Sequence, residues 1–188
     1  AYSLILALIL GGIAVMLTGH SPISIYTAVV KGAFGSLAGF MSVLAYTIPI
    51  IIAGIGAAVA FTGGIFNIGG EGQLLVGGLC AVLAGLLLDF PFPFALLIAL
   101  LAGFLGGVAW ALIPTLMLGR NLNTLAVGTI MMTSIGALFT EFIVKNYFQR
   151  PAASATETEY VNDGAILPRI NQNTQFNYGI ILSIVLVV

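Results

Sequence analysis

A glycine-rich stretch between two long apolar runs holds the residue types best suited to chemistry. It reads Gly63-Gly64-Ile65-Phe66-Asn67-Ile68-Gly69-Gly70-Glu71-Gly72-Gln73. Glycines at this density predict a break in a helix, because they let the backbone bend and expose its polar groups. A broken helix with polar side chains, and a carboxylate close to a membrane, are typical of sites where a solute binds. A turn between two helices, with Glu71 in water, is the alternative that the residues alone leave open.

The remaining titratable residues form no catalytic or metal-binding pattern. Glu141 and Lys145 are four residues apart and predict an interfacial ion pair on one helix face, with a proton relay through Glu141 as the alternative. His20 is the only histidine and Cys80 the only cysteine, so no metal site is expected. His20 and Ser21 are adjacent and cannot face each other as base and nucleophile. We therefore predict that the chain is not an enzyme and has no catalytic residues.

The composition excludes whole classes of protein. Of 188 residues, 60% are hydrophobic and 6% are charged, whereas soluble domains are about 45–50% apolar and about 25% charged. The net charge of −1 excludes the basic surface that nucleic-acid binding requires. Disorder is excluded because disordered chains are poor in apolar residues. These figures predict an integral membrane protein.

Six apolar runs predict an all-α polytopic helical bundle with about six membrane spans. Continuous apolar runs favour helices over a transmembrane β-barrel, whose strands alternate in polarity. The first run starts near Ala1 and the last stops at Val188, so we expect a truncated part of a longer protein. The runs are residues 4–17, 43–61, 74–88, 94–117, 125–144 and the truncated 178–188.

The segments between the runs differ in polarity. Residues 19–42 are mildly apolar and predict an interfacial or re-entrant helix. Residues 146–175 are strongly polar and predict an extramembrane loop within a single transmembrane domain that covers 1–188. Small residues at helix-packing spacing predict close helix contacts. They are Gly35 with Gly39, Gly103 with Gly107, and Gly54 with Ala58 and Thr62.

The stretch Phe66-Asn67-Ile68-Gly69-Gly70-Glu71-Gly72-Gln73 resembles the signature of permease subunits of nucleoside-type ABC importers. These subunits belong to the wider group of branched-chain amino acid and simple-sugar ABC permeases. Further features support the resemblance in the expected order along the chain: Ser21-Pro22 with Tyr26, Thr47-Ile48-Pro49, Thr129-Ile130-Met131-Met132 and Leu167-Pro168-Arg169. The sequence departs from the pattern at Asn123-Thr124-Leu125-Ala126, where nucleoside-type members often carry an Asn-Glu pair.

The resemblance implies a multi-pass protein of the bacterial cytoplasmic membrane. It would move nucleosides, or a related small polar solute such as a simple sugar, by alternating access. The implied substrate path or gate consists of Phe66, Asn67, Glu71 and Gln73. The implied hinges are Gly64, Gly69, Gly70 and Gly72.

The resemblance also implies partners. They are ABC ATPase subunits, a second permease subunit (identical or homologous) and an extracytoplasmic substrate-binding protein. No Gly-x-x-x-x-Gly-Lys-Ser/Thr loop occurs in the sequence, so the chain is expected to hold no cofactor and ATP would be hydrolysed on a partner subunit.

Orientation and energy source each have an alternative. The resemblance places the amino terminus in the cytoplasm and residues 146–175 outside. With the amino terminus in the cytoplasm, Arg120 would be the only basic residue on the cytoplasmic side. The positive-inside rule therefore favours the opposite orientation. The alternative function is an ion-coupled secondary transporter in which Glu71 and Glu141 are the coupling carboxylates.

Overall fold

The computed structural model describes residues 2–118, 122–170, 174 and 176–187. In this part of the chain every long element is a helix and the only β-structure is two isolated bridges, which confirms the all-α fold. A π-helix, Val144–Phe148, continues the sixth helix, and a short 3-10 helix covers Asp163–Ala165. The α-helices are α1 (Tyr2–Leu17), α2 (Pro22–Phe34), α3 (Leu37–Thr62), α4 (Gly70–Leu87), α5 (Phe94–Leu118), α6 (Leu122–Ile143) and α7 (Gly179–Val187).

Within the described residues each of the six predicted runs coincides largely with a helix, and four of these helical segments pass the length and hydropathy criteria for a membrane span. Within the described residues, α3, α4, α5 and the continuous segment Thr124–Phe148 are long and apolar enough to span. A fifth span exists if α1 and α2, which are bent by 118° at their junction, count together. Nine residues of α7 are described. The polytopic bundle is confirmed, with four or five candidate spans.

The second apolar run begins earlier than predicted. Helix α3 starts at Leu37 and continues through Pro49, so Thr47-Ile48-Pro49 lies inside a helix and does not open one. Residues 37–42, predicted as part of the interfacial segment, belong to α3. Proline is tolerated inside a membrane helix because neighbouring groups satisfy the backbone carbonyl that it leaves free.

The described residues group into two compact units, and the predicted single domain stays a prediction. The first unit comprises residues 1–49 and 169–184. In it, the Tyr26 hydroxyl donates a hydrogen bond of 2.5 Å to the carbonyl oxygen of Leu8. A Cβ on Gly11 would lie 3.2 Å from this hydroxyl, so α2 packs closely against α1. The re-entrant or interfacial placement of α2 stays a prediction.

The second unit comprises residues 50–168 and 185–188, and glycines join two of its helices. A Cβ on Gly77 of α4 would lie 2.8 Å from the carbonyl oxygen of Gly103 on α5, and one on Gly106 would lie 2.5 Å from Sγ of Cys80. In lipid the hydrophobic effect does not drive helices together, so close van der Waals packing at small residues stabilises their association instead. Gly103 and Gly107 of α5 both lie against α4, so the close helix contact predicted from this pair is confirmed. A Cβ on Gly54 would meet no other described residue within 4 Å, so no close helix contact is seen at this glycine.

The polar loop folds over the turn between α4 and α5. The backbone N–H of Asn162 donates to the carbonyl oxygen of Gly85 over 3.2 Å, and a Cβ on Gly164 would lie 2.9 Å from the carbonyl oxygen of Phe90. The loop therefore lies at the carboxyl end of α4, opposite to the glycine-rich stretch. Residues 171–173 and 175 of the predicted loop are outside the described residues.

Charged residues of the loop pair with each other. Arg150 forms an ion pair with Glu157 and lies 5.1 Å from the ring centre of Tyr160. Hydrogen bonding to Tyr160, followed by the charge of Glu157, raises the pKa of Arg150 above its ordinary value. Among the described residues Glu141 and Lys145 form no ion pair. The π-helix that begins at Val144 widens the turn between them, so the four-residue spacing does not bring them together as predicted.

Candidate functional site

The glycine-rich stretch begins at the carboxyl end of α3, where its first residues cap the helix. The N–H of Gly64 donates to the carbonyl oxygen of Phe61, and the N–H of Ile65 donates to that of Ala60. This pair of bonds is a Schellman motif, which requires a left-handed residue at the position after the cap. Gly64 has a φ of +76°, so the end of α3 accounts for a glycine there.

Residues 65–69 then connect α3 to α4 without helical structure. The ring of Phe66 packs on that of Phe61, with 5.1 Å between centroids, and Phe66 is 60% exposed. The stretch thus presents an aromatic surface on which a planar ligand can stack.

Asn67 organises the start of α4 through its side chain. Its Oδ1 accepts a hydrogen bond of 2.9 Å from the N–H of Gly69 and one of 3.4 Å from Nε2 of Gln73. An Asn side chain that bonds the backbone two residues later forms an Asx turn. Here the turn satisfies the N–H of Gly69, which precedes α4 and has no side chain for capping. The Nδ2 group of Asn67 has no hydrogen-bond partner among the described residues.

Helix α6 packs against the start of α4 and the connection that precedes it. The N–H of Ile68 donates to Oγ1 of Thr129 over 3.3 Å, and Thr129 is only 3% exposed. A Cβ on Gly69 would lie 2.9 Å from the carbonyl oxygen of Thr129, and a Cβ on Gly72 would lie 2.8 Å from Cα of Thr133. Only glycine fits at either position without a shift of α6.

Trp110 on α5 holds the same region of α6. Its indole N–H donates to the carbonyl oxygen of Met132 over 3.2 Å, and its ring stacks on Phe139 with 5.7 Å between centroids. A Cβ on Gly136 would lie 3.2 Å from the indole nitrogen and 3.3 Å from Cα of Gly72. Three helices therefore meet at this point through small residues and one indole.

Glu71 is exposed in the first turn of α4. A carboxylate there is stabilised by the positive end of the helix dipole. Among the described residues it has no hydrogen bond or ion pair. Its charge is therefore free to meet a ligand that approaches the amino end of α4.

The structure brings some of the predicted residues together. Asn67 and Gln73 are hydrogen-bonded, and Phe66 packs on α3. Glu71 is exposed, and its side chain has no hydrogen bond or ion pair within the described part of the chain. Gly69 and Gly72 lie in tight contact with α6, whereas a Cβ on Gly70 would meet no other described part of the chain within 4 Å. Their predicted roles in the substrate path and as hinges stay predictions.

Sequence reasoning did not assign Thr129 and Trp110 to the site. Thr129 opens the stretch Thr129-Ile130-Met131-Met132, which supported the family resemblance, and a hydroxyl inside an apolar run was a usable signal. The only tryptophan in the sequence had no spacing relation to the glycine-rich stretch. Arg120 and the side chain of Asn123 lie outside the described part of the chain.

Residues 39–188 match the family described as branched-chain amino acid transport system / permease component. This range includes the glycine-rich stretch, α4, α5 and α6. The chain belongs to this family.

Three relatives are similar to the chain. The guanosine ABC transporter permease protein NupP of Bacillus subtilis is 35% identical over 144 residues, 77% of this chain and 41% of the relative. The glucose ABC transporter permease protein TsgB13 of Haloferax volcanii is 26% identical over 86% of this chain and 43% of the relative. The nucleoside ABC transporter permease protein NupB of Lactococcus lactis is 25% identical over 99% of this chain and 54% of the relative. The chain spans about half the length of these curated relatives, and no solved structure matches it.

Proposed function

We propose that this chain is part of the permease subunit of an ABC importer that carries nucleosides across the bacterial cytoplasmic membrane. The observation that carries the proposal is the Phe66–Asn67–Glu71 arrangement at the start of α4, in a chain similar to a guanosine permease. A nucleoside has a planar base and several hydrogen-bonding groups. An exposed aromatic ring and unpaired polar groups provide the matching surface.

The proposed mechanism is alternating access. A binding protein delivers the nucleoside from outside, and ATP hydrolysis on partner subunits reorients the membrane helices. The break between α3 and α4 lets the two helices change their relative angle, while α4 stays packed on α5 and α6. The chain itself contributes no catalytic step.

Uptake measurements with the full-length protein test the energy source. Right-side-out proteoliposomes would contain the permease, its ATPase subunits and internal ATP, with the binding protein and radiolabelled guanosine outside. We expect uptake that requires ATP and continues when a protonophore abolishes the proton gradient. Uptake that needs the gradient and not ATP would contradict the proposal. Competition by excess unlabelled inosine but not glucose would support nucleosides over sugars.

The partner subunits are tested by co-purification. The full-length protein, isolated from native membranes, should bring an ABC ATPase and a second permease subunit with it. Isolation of a lone oligomer without any ATPase would favour the ion-coupled alternative. That alternative has a weaker geometric basis, because Glu141 lies about 18 Å beyond Thr129 along α6, at a rise of about 1.5 Å per residue.

A further inference from the structure

We propose that Thr129 is a positioning residue for the substrate path, which holds Asn67 in place through the backbone of Ile68. The inference deepens the proposed function and rests on it for the effect on transport. The contact itself is a property of the second unit alone, to which all three residues belong.

The hydroxyl of Thr129 is arranged to accept a hydrogen bond from the connection. It donates its one proton to the carbonyl oxygen of Ala126 over 2.9 Å, so its lone pairs remain for the N–H of Ile68 at 3.3 Å. Ile68 N–H has no other partner among the described residues. Loss of the hydroxyl would leave this partly buried donor unsatisfied.

Steric contact keeps the hydrogen bond in place. The backbone of Gly69 lies so close to Thr129 that a Cβ there would be 3.0 Å from Cβ of Thr129. The connection is therefore pressed onto α6 immediately after the bonded N–H. We therefore expect a movement of α6 at this point to shift residues 68 and 69.

Asn67 links the anchored connection to the start of α4. It immediately precedes Ile68, and its Oδ1 bonds both Gly69 and Gln73. One hydroxyl on α6 thus anchors the backbone next to Asn67, and the Asn67 side chain in turn bonds Gln73. Movement of α6 during transport would be transmitted to the path through this contact.

Helix α6 offers a matched set of variants. Thr129→Val keeps the shape of the side chain and removes the hydroxyl, whereas Thr129→Ser keeps the hydroxyl. Thr133→Val is the control, because the Thr133 hydroxyl donates to the carbonyl oxygen of Thr129 within α6 and makes no bond to the connection. Thr129→Val and Thr133→Val each lose an intrahelical bond, but only Thr129→Val loses the bond to Ile68.

Hydrogen–deuterium exchange on the full-length complex tests the contact without any substrate. Thr129→Val should raise amide exchange about tenfold in peptides that cover residues 66–73, the change expected for loss of one hydrogen bond. Thr129→Ser and Thr133→Val should leave exchange in these peptides close to that of the wild type. Equal exchange in all four proteins would overturn the contact, whether or not guanosine is transported.

Coupling measurements in the same proteoliposomes test the positioning role. For Thr129→Val we expect guanosine molecules transported per ATP hydrolysed to fall about tenfold, with complex yield and ATP hydrolysis close to wild type. Thr129→Ser should restore the ratio. In an Asn67→Ala background the Thr129→Val effect should disappear, because the residue that Thr129 positions is absent. An unchanged ratio in Thr129→Val, or a loss that Asn67→Ala does not alter, would overturn the proposal. A wild-type complex that takes up no guanosine contradicts the proposed function alone.

Discussion

Single residues at the α3–α4 junction have distinct physical roles. Gly64 supplies the left-handed conformation that ends α3, and Asn67 caps the backbone before α4. Glu71 lies in the first turn of α4, where the helix dipole stabilises a carboxylate, and its side chain forms no hydrogen bond or ion pair with the described residues. A chain that needed only a turn here would not require an exposed carboxylate, which is why Glu71 is the residue to test first.

Replacement of Glu71 by alanine is expected to abolish nucleoside uptake and to leave assembly intact. The structural loss is small, because a carboxylate in the first turn of a helix contributes only about 0.3–1 kcal/mol. Uptake and complex yield should be measured together for Glu71→Ala and Glu71→Gln.

Glu141→Gln is the matched control for that experiment. Glu141 is also an exposed carboxylate on a candidate span, but it lies far along α6 from the α4 start. Its variant should transport normally. Normal uptake by Glu71→Ala would refute the gating role, and loss in both variants would favour ion coupling.

At the scale of elements, α4 is the helix around which the second unit is built. Gly77 contacts α5, and Gly69 and Gly72 contact α6. The glycines of the motif therefore divide into those that permit close packing and those, such as Gly70, that face open space. A hinge is easier to place at Gly63–Gly64 than at Gly72, since tight packing restricts motion.

Gly72→Ala and Gly70→Ala form a pair that separates packing from helix propensity. In Gly72→Ala the new Cβ would lie 2.8 Å from Cα of Thr133, so we expect destabilisation of about 1–3 kcal/mol from overpacking. In Gly70→Ala the new Cβ would meet no other described residue within 4 Å, so stability should be unchanged or higher by up to about 1 kcal/mol. Thermal unfolding of the purified full-length protein in detergent measures both. Equal melting temperatures for the two variants would contradict the packing.

At the scale of the whole molecule, the two ends of α4 define two faces. The α3–α4 connection lies at its amino end, and the loop that contains Asn162 covers its carboxyl end. An 18-residue helix is about 27 Å long, close to the thickness of the hydrocarbon core. If α4 spans the membrane, the candidate site and the loop lie near opposite surfaces.

Cysteine labelling tests this arrangement and the proposed orientation. In a Cys80→Ala background, which removes the only native cysteine, Ser154→Cys should react with a membrane-impermeant reagent from outside. Ile65→Cys, at a position that is 45% exposed, should react only after the cytoplasmic side is opened. Labelling of both cysteines from the same side of the membrane would show that α4 does not place them on opposite sides. Labelling of Ile65→Cys from outside and of Ser154→Cys only from the cytoplasmic side would show the opposite orientation.

Part of the site was predictable from local sequence and part was not. Glycine density between two apolar runs predicted the break that separates α3 from α4, because helix propensity is a local property. The contact between Ile68 and Thr129 joins residues far apart in the sequence. Nothing in the spacing of a single sequence shows which turn of α6 faces the connection, so Thr129 and Trp110 were not assigned.

The same division holds for the fold. Composition and continuous apolar runs determined that the protein is a helical membrane protein, since lipid leaves few ways to satisfy the backbone. Only the tertiary structure decided which small residues pack. Gly103 meets Gly77, Gly39 lies in the corner between α2 and α3, and a Cβ on Gly54 would meet no other described helix within 4 Å. The physical reason is that small-residue spacing permits close approach on a helix face, whereas the partner that approaches is set by how distant helices are arranged.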